Sequence, residues 1–240
     1  MLGYLIRVGK PVSRQRLSRI FWPHLPNSDS RTYLRNILAR LKRDFSPWLQ
    51  ITRDEVSFVV TDQSCTVDLY ELEAVLARYQ HEIFNELNVD QLAEFRDGLA
   101  LYEGPFMGDF SRTISPWFEE WLTYERQYIL ERVQSGYAQL IECGIYHEEW
   151  GACISDAKKL IGLDPDHQES WLLLMKCLAR SGDLRRAQAA YERYERSSAA
   201  DFRQSETGRE MSLLYRKIGQ RISGINLDFN QDGDLNIGGR

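Results

Sequence analysis

The stretch from Tyr137 to Tyr194 matches itself at an offset of 34 residues, and that self-match limits the fold more tightly than anything else in the chain. Tyr137 falls on Trp171, Leu140 on Leu174, Ile141 on Met175 and Cys143 on Cys177. Further on, Cys153 falls on Ala187, Ala157 on Tyr191 and Leu160 on Tyr194. Large, aliphatic, small and aromatic positions recur in one order, as they do when a helix–turn–helix unit is stacked on a copy of itself. The second copy is the cleaner, with Gly182-Asp183 at its turn and the small Ala187 where two helices must approach closely. Two amphipathic hairpins of an unrelated bundle would show similar apolar faces but would have no reason to keep a period. Stacked units of this kind present surfaces for binding and assembly and supply no chemistry of their own.

Charge divides the chain differently. Residues 1–60 hold eleven Lys/Arg against four Asp/Glu, a net charge of +7, whereas the remaining 180 residues carry −12. A basic front on an acidic body points to a polyanionic partner for the front.

The front reads as three helices and a β-hairpin. Apolar residues at Leu2, Leu5 and Ile6 predict a short helix stopped by Gly9-Lys10-Pro11. Ser13 is a candidate N-cap for a helix over Arg14–Trp22, with Leu17, Ile20 and Phe21 on its apolar side and Pro23 and Pro26 closing it. A third helix is expected over about Asp29–Phe45, capped by Asn27 or Ser28. Its Leu34, Ile37, Leu38, Leu41 and Phe45 follow i, i+3, i+4, i+7 and form one buried stripe. The opposite face holds Thr32, Asn36, Ala39 and Arg43, flanked by Arg35 and Arg40. Guanidiniums neutralise phosphates or fork onto guanine, Asn pairs with adenine, and Ala permits close approach, so this face suits a major groove. Trp48–Thr61 alternates as a hairpin does, with Arg53-Asp54 at its turn. The expected DNA-contacting set is therefore Arg31, Thr32, Arg35, Asn36, Arg40, Arg43 and, from the hairpin tip, Arg53.

Beyond residue 66 the pattern is helical throughout. Leu69, Leu72, Leu76 and Tyr79 share one side of a helix over Asp68–Gln80, and Leu92, Phe95, Leu99 and Tyr102 one side of a helix over Val89–Tyr102. Phe106 and Phe110 are expected to plug a loop into the core. Pro116 starts a long helix at its favoured first position with Ser115 as cap, and the stripe Trp117, Trp121, Tyr124, Tyr128 is expected in a core or an interface. After the repeats, Ser205–Ile222 supplies a last helix through Met211, Leu214, Tyr215 and Ile218 to cover the open end.

Several of these motifs together resemble a known family. PVSRQRLSRIFWP followed by LRNILARLKRDF resembles the second and third helices of an OmpR-type winged helix, in the form found in SARP-type bacterial activators. Downstream, Val67-Asp-Leu-Tyr-Glu-Leu-Glu, Leu101-Tyr-Glu-Gly-Pro-Phe-Met, Trp117-Phe-Glu-Glu-Trp-Leu and Gly162-Leu-Asp-Pro, in that order, are similar to the bacterial transcriptional activation domain of those regulators. The 34-residue period is that of the tetratricopeptide repeat, to which that domain is related. One departure stands out: OmpR-type domains open with a small antiparallel sheet, and this chain opens on the first helix.

The expected fold is thus mainly α: a partial winged helix, three helices plus a β-hairpin, over residues 1–61, a TPR-like activation domain over 66–222, and a flexible tail over 223–240. The resemblance implies a DNA-binding transcriptional regulator, an activator, whose third helix enters the major groove of double-stranded DNA. Its repeat domain would contact RNA polymerase or another protein, or self-associate as a homodimer. The competing expectation, prompted by the missing sheet, is a TPR-type interaction adaptor that has lost DNA binding. No nucleotide-binding glycine loop, paired acid/base site or clustered metal ligands is evident, so no enzyme activity and no cofactor or metal is expected. The tail Asp228-Phe-Asn230-Gln-Asp232-Gly233 mimics the first half of a calcium loop but places Gly239 where the bidentate Glu belongs. No apolar run reaches the roughly 20 residues that span a bilayer. The four cysteines lack CxxC pairing and read as small hydrophobes of a reducing, cytoplasmic compartment.

Overall fold

The computed structural model describes residues 1–60, 64–79, 87–108, 110, 114–198 and 201–223; the calcium-like tail segment falls outside them. The chain forms two compact units. The first comprises Met1–Ala74 and Leu101–Arg132, the second Val75–Ala100 and Val133–Arg240.

The first unit opens with helix α1 (Leu2–Val8), which ends at Gly9 in the left-handed conformation that a Cβ disfavours. Strand β1 (Val12–Ser13) follows and leads into α2 (Arg14–Phe21). As expected, the Ser13 hydroxyl caps α2, accepting from the Arg16 N–H at 3.2 Å. The helix stops one residue early, at Phe21, because Trp22 leaves the helical conformation ahead of Pro23. Helix α3 (Asn27–Phe45) begins earlier than the sequence implied, and neither Asn27 nor Ser28 caps it. Pro26 precedes it instead, and the Pro26 carbonyl accepts from both Asp29 and Ser30 at 3.0 Å. Strands β2 (Leu49–Ile51) and β3 (Glu55–Phe58) form the expected hairpin, with Leu49 opposite Phe58 and Ile51 opposite Val56. The strand the sequence did not reveal is β1, which pairs with β3 through Val12–Val56 and Ser13–Glu55 and makes a three-stranded sheet, β1-β3-β2. Two residues are too few to show an alternating pattern.

The core of this unit is built from Tyr4, Leu5, Leu17, Phe21, Leu34, Leu38, Leu49, Val56 and Phe58. Residues from far along the chain complete it. Helix α6 (Pro116–Tyr146) is capped by Ser115, whose hydroxyl accepts from Phe118 N–H, and contributes Phe118 and Leu122. Phe106 and Phe110 pack against the same core, as expected, and Arg126 pins their loop by donating to the Phe106 and Met107 carbonyls at 2.9 and 2.6 Å. The aromatic stripe of α6, expected in a core or an interface, divides: Trp121 packs against this core beside the buried Phe118 and Leu122, with Ile129 buried further along, whereas Trp117, Tyr124 and Tyr128 are 43%, 65% and 37% exposed. The fully buried set, Phe118, Leu122 and Ile129, is the ordinary apolar stripe one position over.

Helix α4 (Asp68–Tyr79) buries Leu69, Leu72, Leu76 and Tyr79 as expected. In the second unit, α5 (Val89–Leu99) starts with a reciprocal capping box between Asn88 and Gln91 and stops before Tyr102. Gly136 of α6 lets Leu76 and Leu99 come so close that a Cβ there would stand 2.9 and 2.8 Å from them. Arg96 of α5 reaches the buried Asp156 carboxylate at 2.8 Å, anchoring it to α7 (Trp150–Leu163). Helices α8 (Gln168–Arg180) and α9 (Leu184–Ser197) follow, and the period holds to the residue. The end of α6 at Tyr146, the start of α7 at Trp150 and its end at Leu163 each recur 34 positions on, at Arg180, Leu184 and Ser197. All fourteen residues of the seven matched pairs are buried. Helix α10 (Glu206–Ile222), capped by Ser205, buries Met211 and Ile218, half-buries Leu214, and stacks Tyr215 on Tyr191 at 4.5 Å.

Cys143, Cys153 and Cys177 are buried free thiols, and burial pushes Cys143 up to about 11. Among the described residues no helix is long and apolar enough to cross a membrane, and no group of His, Cys, Asp or Glu could hold a metal ion. Two outcomes check this architecture. Phe118→Ala should cost about 3–5 kcal/mol in urea unfolding, whereas Tyr124→Ala should stay within about 0.5 kcal/mol of wild type; equal costs would return the aromatic stripe to the core. A thiol reagent at mildly alkaline pH should titrate Cys65 quickly in the native protein and the other three cysteines only in denaturant.

Candidate nucleic-acid interface

Helix α3 separates its two faces as the spacing of its residues requires. Leu34 and Leu38 are buried and Ile37, Leu41 and Phe45 half-buried, while Arg31, Thr32, Arg35, Asn36, Ala39, Arg40 and Arg43 are all exposed. Thr32 turns its hydroxyl back to donate to the Ser28 carbonyl at 3.1 Å. Arg43 pairs with its neighbour Asp44 at 3.2 Å, both side chains well exposed. Arg31, Arg35, Arg40 and Arg53 have no carboxylate partner among the described residues. An exposed pair of this kind is worth little and is easily exchanged for a stronger anion.

Beside this face lies a cleft of about 560 Å³ lined by three separate pieces of chain. Ser13, the cap of α2, lies with Arg14 and Gln15 of its first turn, Arg31, Leu34 and Arg35 come from α3, and Arg53 and Asp54 from the β2–β3 turn. Pairing of β1 with β3 is what brings these together. The Arg14 N–H donates to the Asp54 carbonyl at 2.8 Å, so the start of α2 is tied to the tip of the hairpin. The Arg14 guanidinium is held beside the same turn by a 3.4 Å contact to the Thr52 carbonyl. Four guanidiniums thus surround one open cleft with a single carboxylate, Asp54, on its wall. The N-terminus of α2 adds the positive end of its dipole to the same space.

The residues expected from sequence divide in two. Arg31, Arg35 and Arg53 line the cleft, while Thr32, Asn36, Arg40 and Arg43 lie outside its lining on the exposed side of α3. Arg14 and Gln15 were missed. The Ser13 cap placed them in the first turn of a helix, but nothing in the sequence showed that β1 would set that turn against Arg53.

Comparison with known proteins fits this architecture. Residues 67–219 match the model of the bacterial transcriptional activator domain family. The fold is similar to that of Mycobacterium tuberculosis EmbR, solved in complex with a low-affinity phosphopeptide, at a TM-score of 0.53 and 15% sequence identity, covering 97% of this chain and 67% of that one. No curated protein matches the chain.

Because the exposed arginines of α3 support nothing in the fold, Arg35→Ala and Arg40→Ala should each leave unfolding free energy within about 0.5 kcal/mol of wild type. Leu38→Ala should cost about 2–5 kcal/mol. Denaturant titrations of the three variants check the assignment of faces, and a large loss at Arg35 would show the guanidinium to be structural.

Proposed function

The chain belongs to the bacterial transcriptional activator domain family, in keeping with its resemblance to SARP-type regulators, and from that premise we propose that it activates transcription by binding double-stranded DNA through residues 1–61. In this reading residues 66–222 form the activation domain that engages RNA polymerase or another protein, or a second copy of the chain, in the cytoplasm.

The convergence of Arg14, Arg31, Arg35 and Arg53 on one cleft beside the exposed face of α3 carries the reading. An α-helix with its side chains is about 10–12 Å across and the major groove of B-DNA about 12 Å wide, so α3 fits with its exposed face toward the bases. Asn36 and Arg40, near the middle of that face, then meet base edges, where Asn pairs with adenine and Arg with guanine. Arg31, Arg35 and Arg14 flank the groove and neutralise phosphates, and Arg53 at the hairpin tip reaches the backbone beside the adjacent groove. Arg43 would exchange Asp44 for a phosphate. These backbone contacts fix register and supply most of the affinity, while the base contacts supply the choice of site.

The second reading is a TPR-type interaction adaptor that has lost DNA binding; packing of Phe118 and Leu122 into the core of the front helices supports a folded front unit and so favours the first.

Gel shifts on the protein's own promoter region test the proposal. Arg35→Ala and Arg40→Ala should each weaken binding about tenfold, and binding unchanged by both would reject the groove assignment. Affinity should also fall steeply with salt, with a log–log slope of about −0.9 per phosphate contacted. Removing Arg53 should flatten that slope by about one contact without changing the preferred sequence.

A further inference from the structure

The aromatic stripe of α6 is left over by the fold. Trp117, Tyr124 and Tyr128 are large, exposed and successive on one side of the helix, and burial explains none of them. At 100° per residue, Trp117, Glu120, Tyr124, Tyr128 and Glu131 fall within a sector of about 80°. We infer that this face docks an arginine-bearing segment of a partner protein, received between Trp117, Glu120 and Tyr124.

Its C-terminal end shows the chemistry already at work within the chain. The Arg7 guanidinium stands 5.5 Å from the Tyr128 ring centroid and that of Arg132 stands 5.7 Å from it. Arg7 is held there by ion pairs to Glu125 at 2.5 Å and Glu73 at 2.9 Å. Tyr124 then stacks on Tyr128 with centroids 6.2 Å apart and rings inclined by 15°. A ladder of guanidinium, tyrosine and tyrosine therefore runs along the helix and stops at Tyr124, which is 65% exposed. One turn before it lies Glu120, an exposed carboxylate with no basic partner among the described residues. Trp117 lies a further turn back, its ring edge-on to Tyr4.

Charge selects the occupant. Between residues 116 and 132 the chain has four carboxylates, Glu119, Glu120, Glu125 and Glu131, and two bases, Arg126 and Arg132. Arg126 is spent on the Phe106 and Met107 carbonyls, Arg132 on Tyr128 and Glu73, and Glu125 on Arg7, so the face between Trp117 and Tyr124 presents aromatic rings and the Glu120 carboxylate, unpaired among the described residues. Such a surface repels DNA and attracts a cationic protein segment. A planar guanidinium stacks on a ring while its edge donates to a carboxylate, whereas a lysine ammonium offers only a point charge. Trp, Tyr and Arg are also the residues that dominate protein–protein interfaces. The inference is independent of the assignment of α3 to DNA.

Fluorescence anisotropy of the full chain with a labelled, capped arginine–alanine peptide, set against lysine–alanine and glutamate–alanine peptides, tests it. The arginine peptide should bind best. Trp117→Ala and Tyr124→Ala should each weaken it about two- to fivefold, Glu120→Gln should weaken it further, and gel-shift affinity for DNA should stay unchanged in all three. Tyr124 and Glu120 are surface positions, so the test stands even if Trp117→Ala disturbs Tyr4. Arginine and lysine peptides binding alike, binding indifferent to Tyr124→Ala and Glu120→Gln, or no binding at all would overturn the proposal. So would a concentration-dependent dimer in sedimentation that Tyr124→Ala dissolves and the peptide does not compete, since the occupant would then be a second copy. Loss of DNA binding in Arg35→Ala is read separately and bears only on α3.

Discussion

Phe118 is the contact on which the first unit depends. Its ring lies 5.2 Å from Phe21 and 5.3 Å from Trp121, and Tyr4 closes the cluster with rings 6.0 Å from Phe21 and 4.9 Å from Trp121. Such pairs contribute about 0.5–1.5 kcal/mol each beyond the area they bury. Their larger role is connective, because a residue more than a hundred positions from the first helix completes its core. Helix α3 packs into that same core through Leu34 and Leu38, so the orientation of its outward face follows from an aromatic cluster it does not itself contain.

A second constraint works against stability. Gathering Arg14, Arg31, Arg35 and Arg53 around one cleft brings like charges together with only Asp54 among them. Mutual repulsion disfavours that arrangement in the absence of an anion and is relieved when one arrives. It persists because rigid elements hold the backbone that carries each arginine: the β1–β3 ladder and the Arg14–Asp54 backbone bond at one side, the buried stripe of α3 at the other. The elements that carry these charges cannot move apart, so the positive potential of the cleft is built into the fold.

How much of this could be read from the chain alone depends on the range of the contacts involved. The repeats were fully legible, since a period of 34 records which residues face each other when units stack, and every matched pair is buried. The two faces of α3 were legible for the same reason, helical spacing being local. The cleft was legible only in part. Arg31, Arg35 and Arg53 carry local signals, but Arg14 and Gln15 enter through a two-residue strand whose partner lies more than forty positions away. The cap of α3 was misjudged because Pro26 supplies a backbone acceptor where a side chain was expected.

At α6 the sequence left core and interface open for the aromatic stripe, because aromatic residues serve in both. Phe118, Leu122, Ile129, Val133 and Leu140 keep to one side of this 31-residue helix along most of its length. That side is adequately apolar without Trp117, Tyr124 or Tyr128; Tyr128 meets Arg7 and Arg132 and Trp117 touches Tyr4, while Tyr124 stacks only on Tyr128 among the ring contacts of the described residues. An exposed tyrosine in an otherwise acidic helix contributes little to stability and adds a sticky surface, a combination that folding alone gives no reason to keep. Within the first unit, then, two faces remain that the fold does not need: one of arginines along α3 and its cleft, one of rings and carboxylates along α6. Their opposite charges prevent them from serving the same ligand, so a single nucleic-acid partner accounts for only one of them.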